Sequence, residues 1–391
     1  LGALPDDIYL EKHGLRQKVR ALLVSHAHLD HVGGVPYIAP RYNVPVLGTP
    51  YTMEVLNVLM EDSNQKIRNR IIPVQLNGSY LIKGRSGTYK AEFINITHST
   101  LQCAIVAIHT NYGIVMYAND YKLDNSPVLG DKPNYARLRE LSKIGVKALI
   151  VDCLYAPDDR KTPSEKIARG LLEDVLFTTD NKKSGIIVTT FSSHIARLKT
   201  ISEFGKRLNR EVVFVGRSLI KYVSAANRVI KTPFFNQIQL ASYRNQVQKM
   251  LKKINRNREK YIVVCTGHQG EPGSVLDRIA RHQLPLRLNP NDHVIFSSKT
   301  IPTPINEENK QQLERRLKKH HVRIFDNVHT SGHGGREDLR DLINLLKPEH
   351  IIPSHGDVRK LTAGASLAVE MGFKLNKSVH ILQNGQMLNL I

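Results

Sequence analysis

The sequence predicts an α/β protein that carries a second α/β layer in its interior. Short apolar runs that suit buried strands alternate with helix-compatible stretches along most of the chain. Polar side chains follow several of these strands directly, as they do at the ligand-binding edge of open α/β sheets. The composition shifts at Ala156, and the strand–helix alternation beyond that point indicates a separate parallel sheet.

Length and composition narrow the class of protein. The 391 residues suffice for two domains, and a hydrophobic content of 41% supports real cores. No run of 18 apolar residues is present, so we expect no membrane span. Three widely spaced cysteines predict buried thiols in a reducing compartment, and hence a cytoplasmic protein. Because the chain opens on Leu1 rather than Met, we expect an N-terminal piece to precede it.

The charge is large and unevenly distributed. The formal net charge is +21 and the pI is near 9.8. Residues 156–334 contain 32 Lys and Arg against 16 Asp and Glu, a net charge of +16. The other residues carry 24 against 19, a net charge of +5. Solvated surface lysines are the alternative explanation, but an excess of this size favours a polyanionic partner.

Three imidazoles and a carboxylate lie in the hexapeptide His26-Ala27-His28-Leu29-Asp30-His31. The hexapeptide follows the apolar run 21–24, which we interpret as a buried strand. Imidazole and carboxylate together select zinc or a similar first-row ion. A solvated, His-rich loop is the alternative, and the spacing of the donors favours the metal site.

Three further polar residues also stand directly after predicted strands. His98 follows 92–97, Asp120 follows 114–117, and Asp152 follows 147–151. Any one of them alone is more simply explained as a capping or satisfied polar residue. Because strand ends at one edge of a sheet converge, we expect them to join His26 in a single site.

Local signals predict how two segments begin and end. Thr162-Pro163-Ser164-Glu165 is typical of a capping box, with Pro163 at the first position of a helix that runs to Phe177. We expect the chain to close with a short hairpin after Pro353-Ser354-His355-Gly356.

The motifs, taken together, resemble those of the β-CASP branch of the metallo-β-lactamase nucleases, and within it the archaeal type of the ribonuclease J family. His26-Ala27-His28-Leu29-Asp30-His31 matches the second family motif, His98 the third and Asp120 the fourth. Asp152, His333 and His355 match β-CASP motifs A, B and C. The resemblance implies a metallo-β-lactamase αββα sandwich with an inserted β-CASP α/β domain. We therefore predict a sandwich over 1–155, an insertion over 156–334 and a return to the sandwich over 335–391.

The resemblance also implies two Zn²⁺ ions, with Mn²⁺ or Mg²⁺ as alternatives. The expected metal residues are His26, His28, Asp30, His31, His98, Asp120 and His355. Asp120 would bridge ions about 3.5–4 Å apart, and a water of lowered pKa would attack phosphorus. Three residues are expected to be catalytic: Asp30 takes a proton, His333 stabilises the departing or non-bridging oxygens, and Asp152 orients an imidazole.

Small residues that let backbone N–H groups approach are expected to bind the 5′-terminal phosphate. They are His329, Thr330, Ser331, Gly332 and His333, together with Ser297 and Ser298. Ordinary turn chemistry explains these residues equally well from the sequence alone. The resemblance implies a 5′→3′ exonuclease in RNA degradation or rRNA processing, acting on 5′-monophosphate ends of single-stranded RNA in a cleft between the domains. A homodimer and an association with other RNA-decay proteins are further expectations.

Two departures from the family pattern stand out. The early Asp that steadies a ligand His has no clear counterpart, because Asp6 and Asp7 lie in a loop-like context. The chain ends 36 residues after His355, which fits the archaeal type. The alternatives are an endoribonuclease of the cleavage-and-polyadenylation type, a DNA-directed relative, a small-thioester hydrolase and a non-catalytic RNA-binding scaffold. The basic insertion disfavours the thioester hydrolase, the His of motif C disfavours DNA, and the complete ligand set disfavours the scaffold.

Overall fold

The computed structural model describes residue 4 and residues 7–231 and 233–390. The chain forms two compact units, one made of Leu1–Thr162 with Gly332–Ile391 and the other of Pro163–Ser331. We refer to them as unit 1 and unit 2. The expected domain boundaries at 155/156 and 334/335 remain predictions, and the compact units divide the chain a few residues away from them.

The helices alternate with strands throughout the chain. They are α1 (Ile8–Lys12), α2 (Leu29–Val32), α3 (Val35–Ile38), α4 (Pro50–Ser63), α5 (Tyr135–Ile144), α6 (Glu165–Thr178), α7 (Ile195–Arg207), α8 (Arg217–Ile230), α9 (Arg244–Arg256), α10 (Val275–Ala280), α11 (Pro304–Lys318), α12 (Arg336–Leu346) and α13 (Val358–Glu370).

The strands are short, and most are well buried. They are β1 (Leu22–Val24), β2 (Val46–Gly48), β3 (Ile71–Pro73), β4 (Ser79–Lys83), β5 (Thr88–Asn95), β6 (Ala104–Thr110), β7 (Gly113–Ala118), β8 (Val146–Asp152), β9 (Ile186–Thr189), β10 (Glu211–Val215), β11 (Ile238–Ala241), β12 (Tyr261–Cys265), β13 (His293–Phe296), β14 (Arg323–Phe325) and β15 (His350–Ser354).

Unit 1 is a sandwich of two sheets. One sheet has the order β1-β2-β3 and is parallel, and the other has the order β15-β8-β7-β6-β5-β4. Leu47, Phe93 and Val106 belong to an apolar cluster between the sheets, and their burial fixes which face of each strand points inward. Helix α4 packs on the smaller sheet. Helices α5, α12 and α13 contribute to a second core against the larger sheet, which completes an αββα order of layers.

The larger sheet of unit 1 aligns three strand ends. β8 pairs in parallel with both β7 and β15, with Ala118 opposite Val151 and Ser354 opposite Asp152. The residues that follow β7, β8 and β15 therefore emerge at one edge of the sheet.

Unit 2 is built on a six-stranded sheet in the order β11-β10-β12-β9-β13-β14, and every pairing in it is parallel. The central strands are buried along their whole length, as expected for a sheet covered by helices on both faces. The separate parallel α/β layer predicted from the sequence is confirmed.

Two local predictions are wrong. Ser164, not Thr162, caps α6, because the Ser164 hydroxyl accepts a hydrogen bond from the N–H of Lys166 and the helix begins at Glu165. Pro163 consequently lies before the helix rather than at its first position. The closing hairpin is also absent from the described residues after 356. The chain forms α13 there, because Leu367 and Ala368 with Gly364 and Ala365 bury one helical face.

Within the described residues, no helix is both long and apolar enough to cross a membrane. Cys103, Cys153 and Cys265 are all buried free thiols, as predicted from their number and spacing.

Candidate metal centre

Asp120 is the centre of a cluster of imidazoles in unit 1. Its Oδ2 atom lies 3.2 Å from His26 Nε2, 3.3 Å from His31 Nε2 and 3.6 Å from His98 Nε2. Its Oδ1 atom lies 3.6 Å from His355 Nε2. The two oxygens of this one carboxylate thus face different histidines.

The backbone at two of these residues adopts a conformation that side chains rarely tolerate. Both Asp120 and His355 have φ near +60°, in the left-handed region. Each follows a parallel strand of the larger sheet, β7 for Asp120 and β15 for His355. Strain of this kind persists only where the surrounding structure enforces it, and it is concentrated at functional sites.

The hexapeptide histidines are held by β1 and the turn that follows it. His26 is fully buried, and its Nδ1 lies 3.0 Å from the Ser25 hydroxyl. His28 is the residue before α2, and its Nδ1 lies 3.0 Å from His98 Nε2. His98 in turn donates from Nδ1 to the carbonyl of Gly332 at 2.7 Å, which directs its Nε2 into the cluster.

The potential ligand atoms form groups whose members all lie within 4.8 Å of one another. One group is His26, His28, His98 and Asp120; a second is Asp30, His31 and His355; a third is Asp120, His333 and His355. The structure thus brings together all seven residues that were expected to bind metal. Asp120 belongs to the first and third groups, and His355 to the second and third.

The donor set fits a divalent cation. Asp120 Oδ1 is buried and makes no hydrogen bond with any described residue, and the buried His26 Nε2 has only the 3.2 Å contact with Asp120 Oδ2. Burying a polar atom without a partner is costly. Burial, with neighbouring imidazoles, holds the pKa of both His28 and His98 well below the usual range. Neutral imidazoles offer the lone pair that a metal needs. The site is therefore compatible with a bound divalent metal.

His333 lies beside this cluster and is paired with Asp152. Its Nδ1 lies 2.7 Å from Asp152 Oδ2, and its ring stacks on that of His355 at 5.4 Å. Burial alone would lower the pKa of His333, but the negative charge and hydrogen bond of Asp152 raise it to about 9. The Asp152 carboxylate thus favours the protonated form of the His333 ring.

The backbone around His333 is pinned by residues that the sequence did not point to. The Thr162 hydroxyl donates to the His333 carbonyl at 2.8 Å, and the Gly334 N–H donates to the Tyr121 carbonyl at 2.6 Å. No sequence signal links Thr162 to His333. The predicted capping box instead made Thr162 the residue that caps the next helix. Ser25, adjacent to His26, could have been found from its position alone.

The expected family Asp at the start of the chain is not replaced by Asp7. The Asp7 carboxylate accepts hydrogen bonds from Arg41 and, at 2.9 Å, from the Tyr42 hydroxyl. Asp6 lies outside the described residues. Among the described residues, the Ser25 hydroxyl is the group that contacts the outer nitrogen of His26.

The expected phosphate residues of unit 2 are organised by a buried arginine. Arg197 is fully buried and binds both carboxylate oxygens of Glu165, from Nε at 2.7 Å and Nη2 at 2.9 Å. Its Nη1 donates to the carbonyl and hydroxyl of Ser297 and to the carbonyl of Val328. The Thr330 hydroxyl also donates a hydrogen bond to the Glu165 carboxylate, at 3.4 Å. The loops after β13 and β14 are thereby tied to one ion pair.

Comparison with known protein families matches three segments of the chain. Residues 3–85 match the profile of the metallo-beta-lactamase superfamily, and residues 183–315 match that of the beta-CASP domain of ribonuclease J. Residues 319–381 match the RNA specificity domain of Zn-dependent metallo-hydrolases. The predicted fold class, a metallo-β-lactamase domain with a β-CASP insertion, is confirmed.

Relatives of similar length are found in archaea. The chain is 40% identical to ribonuclease J of Methanocaldococcus jannaschii over 390 residues, covering 99% of this chain and 86% of that protein. It is 41% identical to ribonuclease J of Pyrococcus abyssi over 414 residues, covering 100% of this chain and 85% of that protein. The bacterial ribonuclease J of Sinorhizobium meliloti is 30% identical, and the chain covers 65% of it.

A solved structure of a protein of unknown function from Enterococcus faecalis has the same fold, with a TM-score of 0.60 at 15% sequence identity, covering 94% of this chain and 80% of that one. The sequence relatives assign the family as well as the fold, because two of them are more than 30% identical to this chain over most of their own length. The chain belongs to the ribonuclease J family of β-CASP metallo-β-lactamase-fold nucleases, and it is a metal-dependent nuclease.

Proposed function

We propose that this protein is a zinc-dependent 5′→3′ exoribonuclease that acts on single-stranded RNA with a 5′-monophosphate. The observation that carries the proposal is the buried Asp120 carboxylate, whose Oδ2 lies near two histidines of the hexapeptide and His98 and whose Oδ1 lies near His355. The names of the relatives support RNA as the substrate.

In this proposal two Zn²⁺ ions are held in neighbouring sites, with Mn²⁺ or Mg²⁺ as alternatives. His26, His28 and His98 would hold one ion and Asp30, His31 and His355 the other, with the Asp120 carboxylate close to members of both groups. Bound zinc supplies Lewis acidity and lowers the pKa of a water from 15.7 towards about 7. The remaining tasks fall to side chains of the chain itself.

Asp30 and His333 divide the proton transfers. The Asp30 side chain is largely exposed, so it can take a proton from the attacking water and release it to solvent. His333 stays protonated through its pair with Asp152, so it can donate to the leaving 3′-oxygen or stabilise a non-bridging oxygen. Asp152 acts through His333 by holding the orientation of its ring and favouring its protonated form.

The 5′-phosphate is assigned to Ser297, Ser298, His329, Thr330, Ser331, Gly332 and His333. The Ser298 hydroxyl supports this assignment, because it is buried and makes no hydrogen bond with a described residue. Arg197 holds the Ser297 hydroxyl and the Val328 carbonyl in fixed positions. These two groups are engaged with each other and with Arg197 and fix the loops after β13 and β14, and the Ser298 hydroxyl remains as a donor that can meet a terminal phosphate.

We also propose a cytoplasmic location, since all three thiols are free and buried.

A homodimer and an association with other RNA-decay proteins remain predictions. Analytical ultracentrifugation tests the first, and affinity purification from cell extract tests the second.

The test uses single-stranded RNA labelled at the 5′ end and bearing one or three terminal phosphates. We expect immediate release of labelled mononucleotide from the monophosphate form and much slower release from the triphosphate form. An Asp120→Asn variant serves as the inactive control. Internal fragments that appear before any mononucleotide would contradict the exonuclease assignment and favour the endonuclease alternative.

A further inference from the structure

One long stretch of unit 2 contains no acidic side chain. Residues 212–258 include ten Lys and Arg and no Asp or Glu, and the stretch is bounded by Glu211 and Glu259. It comprises most of β10, all of α8, β11 and α9, and the connections between them. β11 is the edge strand of the parallel sheet and β10 is its neighbour, so the acid-free stretch forms one edge of the unit.

The basic residues of this stretch lie on helices and their ends rather than on the strands. They are Arg217, Lys221, Arg228, Lys231, Arg244, Lys249, Lys252, Lys253, Arg256 and Arg258. Lysine on an edge strand protects a sheet from unwanted pairing, but β10 and β11 carry no basic residue. Protection of the sheet edge therefore does not explain the charge.

Four of these residues form a stripe on α9. Lys249, Lys252, Lys253 and Arg256 are spaced i, i+3, i+4 and i+7, so they share one helical face over about 10 Å. All four are exposed, while Val247, Leu251 and Ile254 bury the opposite face of the helix. Within the described part of the chain, Lys249, Lys252 and Arg256 make no ion pair. We call these four residues the basic stripe.

Helix α11 of the same unit is a contrasting case. It also carries the exposed basic residues Arg315 and Lys318, and the exposed Lys319 directly follows it. These share the helix with Glu307, Glu308 and Glu314, and Glu314 pairs with Lys310 at 2.8 Å. Mixed charge is typical of a solvated face, whereas charge of one sign is typical of a surface that meets a polyanion.

We propose that the basic stripe of α9 is an RNA-binding surface that contacts the sugar-phosphate backbone of the substrate beyond its terminal nucleotides. The inference rests on the proposed function, because it takes single-stranded RNA as the substrate. The exposed Tyr243, which directly precedes α9, offers an aromatic face to a base at one end of the stripe. Recognition is sequence-independent, since phosphates carry no sequence information.

The test measures binding of two 5′-monophosphorylated RNAs, of 6 and 30 nucleotides, by fluorescence anisotropy in the full-length Asp120→Asn background. The probe variant is K249Q/K252Q/R256Q, which leaves Lys253 on its Tyr261 ring. The matched control is R315Q/K318Q/K319Q on α11, which removes the same charge from the same unit. Circular dichroism verifies that both variants are folded.

We expect the α9 variant to bind the 30-mer at least about tenfold more weakly at 0.1 M salt. The plot of log affinity against log salt should also become less steep by about 2, because three phosphate contacts are lost. The 6-mer should change less than twofold. An equal loss in the α11 control, or an unchanged 30-mer affinity, overturns the proposal; the second result would point to an acidic protein as the partner of this surface. Because binding is measured without cleavage, the outcome of this test does not depend on the outcome of the exonuclease assay.

Discussion

Two buried polar clusters, one in each unit, differ in how completely their polar atoms are hydrogen-bonded. Around Asp120 in unit 1, the buried Asp120 Oδ1 makes no hydrogen bond with a described residue, and His26 Nε2 has only the contact with Asp120 Oδ2. Around Arg197 in unit 2, the guanidinium donates to Glu165, Ser297 and Val328. Unsatisfied buried atoms indicate that a ligand is needed to complete the first cluster. The satisfied ion pair indicates that the second cluster holds loops in place.

The same difference sets what each cluster contributes to folding. Removing one partner from a satisfied buried pair leaves an uncompensated charge, which is strongly destabilising. Removing a carboxylate from a metal-binding cluster removes a metal ligand but lowers the free energy of unfolding less. Substitutions in the two clusters should therefore separate activity from stability.

The largest effect is expected for Asp120→Asn. The substitution keeps the volume of the side chain but removes the charge that contacts both groups of ligands, so RNA cleavage should fall by at least about a thousandfold. The midpoint of urea unfolding in the presence of a chelator should change little. Cleavage by the variant within tenfold of wild type would show that Asp120 is not the shared ligand.

The largest effect on stability is expected for Arg197→Met. Glu165 would lose the guanidinium that binds both of its carboxylate oxygens and keep the longer contacts with His194 and Thr330, so the free energy of unfolding should fall by about 3–5 kcal/mol. The double variant R197M/E165L should regain much of that loss, because no charge stays unpaired. Urea titrations of the two single variants and the double variant check this; additive losses would contradict a mutually compensated pair.

Asp152→Asn should produce a smaller, pH-dependent effect. Without the carboxylate, the pKa of His333 drops below its present value of about 9, so less of the ring is protonated at alkaline pH. Loss of an orienting partner typically costs about 10–100-fold in activity. The deficit relative to wild type should grow from pH 6 to pH 8.5. A deficit that is constant with pH would mean that Asp152 only supports the fold.

The smallest effect concerns Glu92, a satisfied carboxylate in unit 1 that pairs with Arg137 and Lys90. Burial would raise the pKa of Glu92, but these partners lower it from 4.5 to about 2. The stabilisation is fully present above pH 4.5 and is lost as the pH falls through about 2. The difference in unfolding free energy between wild type and E92Q should be on the order of 2 kcal/mol at pH 7 and shrink below pH 4. A difference independent of pH would contradict the assigned pKa.

The site residues in unit 1 could be found from the sequence because each has a local signal. His26, His98, Asp120 and Asp152 follow strands, and parallel strands of one sheet bring their carboxyl ends to the same edge. His355 follows a strand too, but only the family motif linked it to residues 235 positions earlier. Its partnership with Asp120 depends on β15 pairing with β8, a long-range event that no local pattern encodes.

Other features depend on tertiary context. Arg197 lies in a helix that the sequence shows only as basic, and charge patterning does not distinguish a solvated arginine from one buried against Glu165. Thr162 matches the first residue of a capping box, yet its hydroxyl bonds to the His333 carbonyl and Ser164 caps the helix instead. Both outcomes were decided by partners far away in the sequence.

The most direct test of the central claim is the metal content of the protein, measured by mass spectrometry after purification without chelators. For the wild-type chain we predict two equivalents of divalent metal, chiefly zinc, and for Asp120→Asn one equivalent or less. Fewer than one tightly bound ion per wild-type chain would contradict the dinuclear centre and, with it, the catalytic roles assigned to the surrounding residues.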